Sequence, residues 1–132
     1  MKYTPENITS LGPDEMFVFG SNAMGAHNGG AARTARLLFG AKTGVGEGPQ
    51  GHSYAIPTMG TFDQLRAAVK RFTDLAREWD QTTFLVTKIG CGIAGYTPDQ
   101  IAPLFAEAYK LYNVRLPREF AEIIERDNLA RD

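Results

Sequence analysis

Residues 16–32 read MFVFGSNAMGAHNGGAA and contain an apolar run, a glycine-rich turn and the opening of a helix. The run Met16–Phe19 has no polar alternation, which is typical of a strand buried on both faces. The helix opens at Asn28-Gly29-Gly30, and Gly40 marks its end. A strand that leads through glycines into a helix is the repeating unit of a parallel α/β sheet.

Two more units of this kind follow along the chain. Residues 53–56 predict a second strand, and a capping box at residues 61–64 opens the helix after it. Residues 83–87 predict a third strand, which is followed by a capping box at residues 97–100. Pro103 predicts that the third helix either begins late or bends in its first turns. The alternation predicts an α/β fold whose mostly parallel central sheet carries helices on its faces.

Length and composition limit the class of protein. With 132 residues, of which 43% are apolar and 22% charged, the chain fits one globular domain spanning residues 1–132. The net charge of −1 argues against a dedicated binder of duplex nucleic acid. Apolar stretches are too short for a signal peptide or a membrane span, and one cysteine fits a reducing compartment, so we expect a cytoplasmic protein without a membrane partner. Two histidines and one cysteine lack metal-ligand spacing, so we expect neither a metal nor another cofactor.

The first glycine segment, residues 20–32, follows the end of a predicted strand, and parallel α/β sheets bind ligands beyond the carboxyl ends of their strands. Gly29 and Gly30 lie at a predicted helix N-terminus, where free N–H groups favour an anion and missing Cβ atoms admit a phosphate. The alternative is a tight connection in which the glycines only relieve steric crowding. Asn22 would either hydrogen-bond a ligand hydroxyl or organise the loop.

The second glycine segment, residues 89–96, follows the third predicted strand and reads IGCGIAGY. Three glycines ahead of a helix N-terminus are typical of a phosphate cradle, although the spacing matches neither the dinucleotide fingerprint nor the Walker motif. Tyr96 would either flank a ligand or pack inside the protein. Cys91 is either a small packing residue or a thiolate nucleophile.

Two further features are candidates for function. The glycine-rich segment 40–52 would either wrap a ligand or form a mobile surface excursion. His27 is the candidate general base, because it lies between Asn22 and the pair Gly29 and Gly30. The alternative for His27 is a solvated or structural role.

These segments resemble the macrodomain superfamily, whose members bind ADP-ribose in a three-layer α/β/α fold. Residues 17–22 are similar to the first loop of that superfamily, and the resemblance places Asn22 near the distal ribose. Gly29 and Gly30 look like the glycines before its first ligand-facing helix. The Gly-Cys-Gly form of residues 89–96 resembles the phosphate loop of the branch that includes terminal ADP-ribose hydrolases.

The resemblance implies a site for ADP-ribose or a related nucleotide diphosphate. Backbone of the two glycine segments would contact the diphosphate, and Tyr96 would flank the distal ribose. The expected ligand-binding residues are Asn22, Gly29, Gly30, Gly90, Cys91, Gly92, Ile93, Ala94, Gly95 and Tyr96.

This chain departs from the hydrolases of that branch. The strand end at residues 56–58 lacks their Lys, and Ala94 stands where their phosphate loop has an Asp. For the adenine-binding Asp of typical members, Asp14 is the nearest acidic residue. We therefore predict a reader or sequestering module for ADP-ribose or an ADP-ribosylated molecule. The alternative is a hydrolase that removes ADP-ribose from protein, nucleic acid or a small metabolite, with water activated by His27 or by the substrate itself.

Overall fold

The sheet is mostly parallel. The computed structural model describes residues 3–22, 24–27 and 29–131, so Asn28 of the predicted helix opening lies outside the described residues. Within these residues five strands form one sheet in the order β2-β3-β1-β4-β5, with β2 antiparallel to β3 and the other neighbours parallel. The strands are β1 Glu15–Ser21, β2 Gly48–Gln50, β3 Ser53–Pro57, β4 Thr83–Val86 and β5 Val114–Arg115. The predicted α/β class with a mostly parallel sheet is confirmed.

The helices follow the predicted capping signals. They are α1 Gly30–Leu38, α2 Phe62–Glu78, α3 Pro98–Ile101, a 3-10 helix Ala102–Phe105, α4 Ala106–Tyr109 and α5 Arg118–Arg131. Both predicted capping boxes are present, at the starts of α2 and α3. The 3-10 helix contains Pro103, so the third helical region is interrupted after its first turn and is not one continuous α-helix. Among the described residues, no helix combines the length and apolar character that crossing a membrane requires.

The sheet divides the apolar core into two clusters. Side chains alternate along β1, so that Phe17 and Phe19 face one side while Met16 and Val18 face the other. Residues of α1 pack in the cluster of Phe17 and Phe19. Residues of α2, of the 3-10 helix and of α5 pack in the cluster of Met16 and Val18.

The strand order reverses at β1, and this reversal explains the two clusters. From β1 the chain crosses through α1 to β3, which lies on one side of β1. From β3 it crosses through α2 to β4, on the other side of β1. Right-handed crossovers in opposite directions place their helices on opposite faces of a sheet. Such a reversal opens a crevice beyond the carboxyl ends of the strands. We call the edge where β1, β3 and β4 end the carboxyl edge.

A buried amide fixes the end of α2. The side chain of Asn113, which precedes β5, donates to the carbonyl oxygens of Ala76, Trp79 and Thr82 at 2.9, 3.0 and 2.9 Å. The last carbonyls of a helix have no partner within it, so a side chain that reaches them replaces water. The buried Asn113 therefore ties the end of α2 to the start of β5.

We predict that Asn113→Ala lowers the free energy of unfolding by about 2 kcal/mol, because it leaves buried carbonyl groups without a donor. Urea denaturation of both proteins measures the difference. Gln81→Ala is the matched control, since the Gln81 amide is exposed and bonds only its neighbour Asp80 among the described residues. The control should change stability by less than about 0.5 kcal/mol. Equal stability of the two variants would contradict the role given to Asn113.

Candidate functional site

The segments that follow the three central strands meet at the carboxyl edge. A Cβ atom on Gly20 would lie 3.1 Å from Thr58 Cγ2 and 3.7 Å from the Gly90 nitrogen. The Thr58 nitrogen also donates to the Ser21 carbonyl at 2.7 Å. Gly20 and Ser21 close β1, Thr58 follows β3 and Gly90 follows β4, so this contact joins the ends of three neighbouring strands.

The first glycine segment presents an open helix N-terminus. Gly29, the N-cap of α1, has extended backbone with φ −155° and makes no capping hydrogen bond, and the first turn carries no acidic residue. By contrast, α2 begins with a complete capping box and Asp63. The N–H groups of Gly30 and Ala31 make no hydrogen bond to any residue that the structure describes. The N-terminus of α1 therefore keeps the donors and the partial positive charge that favour an anion.

The second glycine segment forms a turn with outward amides. The Gly95 nitrogen donates to the Gly92 carbonyl at 3.0 Å, and the Tyr96 nitrogen donates to the Gly90 carbonyl at 2.9 Å. Within the described part of the chain, the N–H groups of residues 92–94 have no such partner. Consecutive free amides in a turn form a concavity that binds anions.

Several glycines of these segments have open space where a side chain would stand. No described protein atom lies within 4 Å of a Cβ position on Gly29, Gly30, Gly92 or Gly95. Gly30 and Gly95 have positive φ angles, of 58° and 82°, which alone account for glycine there. Gly29 and Gly92 have neither a positive φ nor a close neighbour. The fold itself does not require glycine at these two positions.

Two predicted ligand contacts have roles inside the protein. The Tyr96 ring packs edge-on against Phe62 with ring centroids 5.6 Å apart, and a Cβ on Gly90 would come within 3.3 Å of it. Tyr96 thus joins the second glycine segment to the start of α2. Asn22 Oδ1 accepts a hydrogen bond from the Ala26 nitrogen at 3.3 Å, so this side chain organises the first loop. Its NH2 group makes no hydrogen bond to a described residue.

Three segments at the carboxyl edge lack the four charged residue types. Residues 20–32, 57–62 and 89–98 contain no Asp, Glu, Lys or Arg, although these make up 22% of the chain. An anion there would be held by backbone amides alone. The same segments provide no carboxylate that could act as a general acid or base.

Segment 40–52 packs closely against the first glycine segment. The Gly44 nitrogen donates to the Gly25 carbonyl at 2.8 Å. A Cβ on Gly25 would lie 2.4 Å from the Val45 nitrogen, and φ at Gly25 is +67°, so this position requires glycine. The two backbones therefore touch directly.

Polar contacts anchor the same segment to β1 and α2. The Ser21 hydroxyl donates to the Gly46 carbonyl. Arg71 forms a bidentate ion pair with Glu47, with an Nε–Oε2 distance of 2.6 Å and an Nη2–Oε1 distance of 2.9 Å. These contacts and the short strand β2 indicate that segment 40–52 is fixed to the rest of the protein and is not a mobile surface excursion. We call segment 40–52 the strap.

His27, the candidate general base, is buried beneath this strap. It is 2% exposed, and its ring lies edge-on to Phe19 with centroids 5.1 Å apart. The ring atom Nε2 lies 3.1 Å from the Val45 carbonyl oxygen and 3.2 Å from Gln50 Oε1. The Gln50 amide is oriented by the Lys42 nitrogen, which donates to Oε1 at 2.7 Å. Both partners of Nε2 are therefore acceptors.

These contacts assign the proton of neutral His27 to Nε2 and its lone pair to Nδ1. Nδ1 is buried and has no hydrogen-bond partner among the described residues. A general base must reach the proton that it removes, so this arrangement supports a structural role more than a catalytic one. The catalytic role of His27 stays a prediction. Sequence reasoning missed Gln50, because a glutamine in a glycine-rich stretch gives no signal of burial.

Burial raises the pKa of the Cys91 thiol above its ordinary value, and the charge of Glu119 adds to this effect while Lys88 opposes it. The thiol donates to the Ile89 carbonyl at 3.6 Å. A raised pKa leaves less thiolate at neutral pH, and the thiolate is the nucleophile. Small-residue packing is thus better supported for Cys91 than nucleophilic catalysis.

A cleft of about 1280 Å³ adjoins the carboxyl edge on the α1 face of the sheet. It lies between residues 3–9 and α1, with Phe17 in its lining. Residues 86–88 and 117–119 line its end at the carboxyl edge. The N-terminal residues are attached beside β5, since Tyr3 forms a parallel bridge with Leu116.

The cleft was not predicted, and its described lining includes none of the predicted ligand-binding residues. It nevertheless reaches the first glycine segment and ends one residue before the second. Ala31, which follows Gly30, and Lys88, which precedes Gly90 by two residues, both line it. Lys88 pairs with Glu119 at 3.5 Å, so the charges at this end of the cleft offset one another.

We predict that His27→Leu lowers the free energy of unfolding by about 2 kcal/mol, because the carbonyl of Val45 and the oxygen of Gln50 each lose a donor. His27→Gln places an amide donor near Nε2 and should recover at least half of this loss. Both variants keep the positive φ of 51° at this position, so backbone strain cancels between them. Urea denaturation measures both. Equal destabilisation by Leu and Gln would contradict the hydrogen-bonding role.

We also predict that Cys91 in the folded protein reacts with iodoacetamide at pH 8 more slowly than it does in the urea-unfolded protein, because its pKa is raised. The rate should climb more steeply than that of the unfolded protein as the pH rises above 9. The chain contains one cysteine, so the label reports on Cys91 alone. A folded protein that reacts as fast as the unfolded one at pH 8 would restore the nucleophile hypothesis.

Within the described residues, no group of three or more His, Cys, Asp or Glu side chains could hold a metal ion. Comparison with protein-family models, curated proteins and solved structures gives no match. The resemblance to the macrodomain superfamily therefore rests on the sequence segments quoted for it.

Proposed function

We propose that this chain is a cytoplasmic, three-layer macrodomain-like module that binds ADP-ribose or a related nucleotide diphosphate at the carboxyl edge. The diphosphate contacts the amides of Gly30 and Ala31 at the N-terminus of α1 and the amides of residues 92–94. The module acts as a reader or sequestering protein for free ADP-ribose or for an ADP-ribosylated molecule.

One observation supports the proposal most. Gly29 and Gly92 lack a side chain although neither the backbone conformation nor the neighbouring atoms require it. Both lie next to amides that have no described hydrogen-bond partner. A phosphate that approaches the backbone needs both the free donors and the missing Cβ.

The cleft has room for the remainder of such a ligand. Its volume of about 1280 Å³ exceeds what an adenosine needs, and it begins at Ala31, beside the proposed diphosphate position. We therefore assign the adenosine to the cleft. We assign the distal ribose to the NH2 group of Asn22, which makes no hydrogen bond to a described residue.

The alternative, an ADP-ribosyl hydrolase, has less support. The three segments at the carboxyl edge carry no acidic or basic side chain, and His27 is buried with its Nε2 bonded to Val45 and Gln50. Hydrolysis would then need water that is activated by the substrate itself. Incubation with substrates of several ADP-ribosyl linkages, followed by assay of released ADP-ribose, distinguishes the two functions.

We predict that 1 mM ADP-ribose raises Tm by roughly 8 to 13 °C, if Kd is on the order of 10 μM. AMP lacks the second phosphate and the distal ribose, so it should raise Tm much less. Differential scanning fluorimetry measures both shifts. A shift with ADP-ribose that is absent, or no larger than that with AMP, would remove the diphosphate site from the proposal.

Gly92→Glu tests the position of the diphosphate. The variant places a carboxylate beside the free amides, and we expect Kd for ADP-ribose to rise by about a hundredfold or more, because like charges meet in a partly desolvated site. The open space at Gly92 predicts that the variant folds normally. Asn128→Glu adds the same charge at an exposed position of α5 and should leave Kd unchanged. Titration calorimetry on both variants decides, and unaltered affinity in folded Gly92→Glu would refute the assignment.

A further inference from the structure

Three large apolar side chains are exposed around the carboxyl edge. Met24, Met59 and Ile93 are 83%, 53% and 88% exposed, respectively. Met24 follows β1, Met59 follows β3 and Ile93 follows β4, and these are neighbouring parallel strands. We call these three residues the apolar rim.

The contact at Gly20 brings the three segments of the rim together. Thr58, which touches Gly20, is the residue before Met59. Gly90, which approaches Gly20 from the other side, lies three residues before Ile93. Met24 lies four residues after Gly20 itself. The rim therefore borders the turn of free amides at residues 92–94.

The segments that carry the rim, residues 20–32, 57–62 and 89–98, lack Asp, Glu, Lys and Arg. Exposed apolar side chains that gather beside a polar site are typical of a ligand-binding surface. A cationic group bound there would lose water without gaining a carboxylate, which is unfavourable. An uncharged ring would gain contact with flexible thioethers, which pack well against aromatic faces.

We propose that the ligand is a dinucleotide whose far end, beyond the distal ribose, carries a flat uncharged ring that lies against the apolar rim. This inference rests on the proposed function, because the diphosphate must first occupy the free amides. The ring belongs to a free dinucleotide and not to a nucleic-acid strand, since a strand would bring further phosphates to segments without Lys or Arg, and the neighbouring Lys88 is already paired with Glu119.

Titration calorimetry with ADP-ribose, NADH and NAD+ tests the inference. NADH carries a neutral dihydronicotinamide on the distal ribose, and we expect its Kd to be about fivefold lower than that of ADP-ribose. NAD+ has the same size but a cationic pyridinium, so its Kd should stay within about twofold of the ADP-ribose value. A short single-stranded oligonucleotide should not compete with NADH.

The double variant Met24→Ser and Met59→Ser should remove the advantage of NADH while leaving Kd for ADP-ribose unchanged. Leu129→Ser, a change at a 75% exposed residue of α5, is the control and should keep the advantage. The inference alone fails if ADP-ribose binds as tightly as NADH, if NAD+ matches NADH, if the oligonucleotide competes or if the double variant keeps the advantage. Binding of NADH without ADP-ribose would support the ring site and would restrict the proposed function to a related nucleotide diphosphate. Absence of binding by all three compounds overturns both.

Discussion

The parallel pairing of β1 with both β3 and β4 is the constraint on which the rest of the structure depends. β1 is hydrogen-bonded to a strand on each side, and its side chains are apolar on both faces of the sheet, so each face needs its own helices. The chain must then leave β1 toward one face and return to its other neighbour across the opposite face. This arrangement gathers the ends of three strands around Gly20 and leaves the two glycine segments side by side.

The strongest local signals in the sequence were sufficient to predict the central part of this fold. The apolar runs of β1, β3 and β4 and the two capping boxes depend on residues close together in the chain, so periodicity and spacing reveal them. The strand β2 was not predicted, because Gly-Pro-Gln has low strand propensity and this strand forms only through pairing with β3. The two-residue strand β5 is likewise too short to show a pattern.

The candidate site also contains some features that the sequence reveals and others that depend on residues far apart in the chain. Glycines near helix N-termini are visible in a sequence, and the structure finds free amides beside Gly29 and Gly92. The burial of His27 is not visible, since it depends on a strap whose anchors at Gln50 and Glu47 lie about twenty residues away. The cleft was missed for a stronger reason, because its walls come from the two ends and the middle of the chain.

The bridge between Tyr3 and Leu116 has a consequence for how the protein is made. Residue 3 leaves the ribosome before the partner that fixes it, which is synthesised more than a hundred residues later. Until then the N-terminal segment has no strand to pair with, and the wall of the cleft that it supplies cannot form. Contacts of such long sequence separation are slow to form, because the entropic cost of closing the loop comes before any stabilising contact is made. The cleft is therefore complete only after synthesis has passed β5.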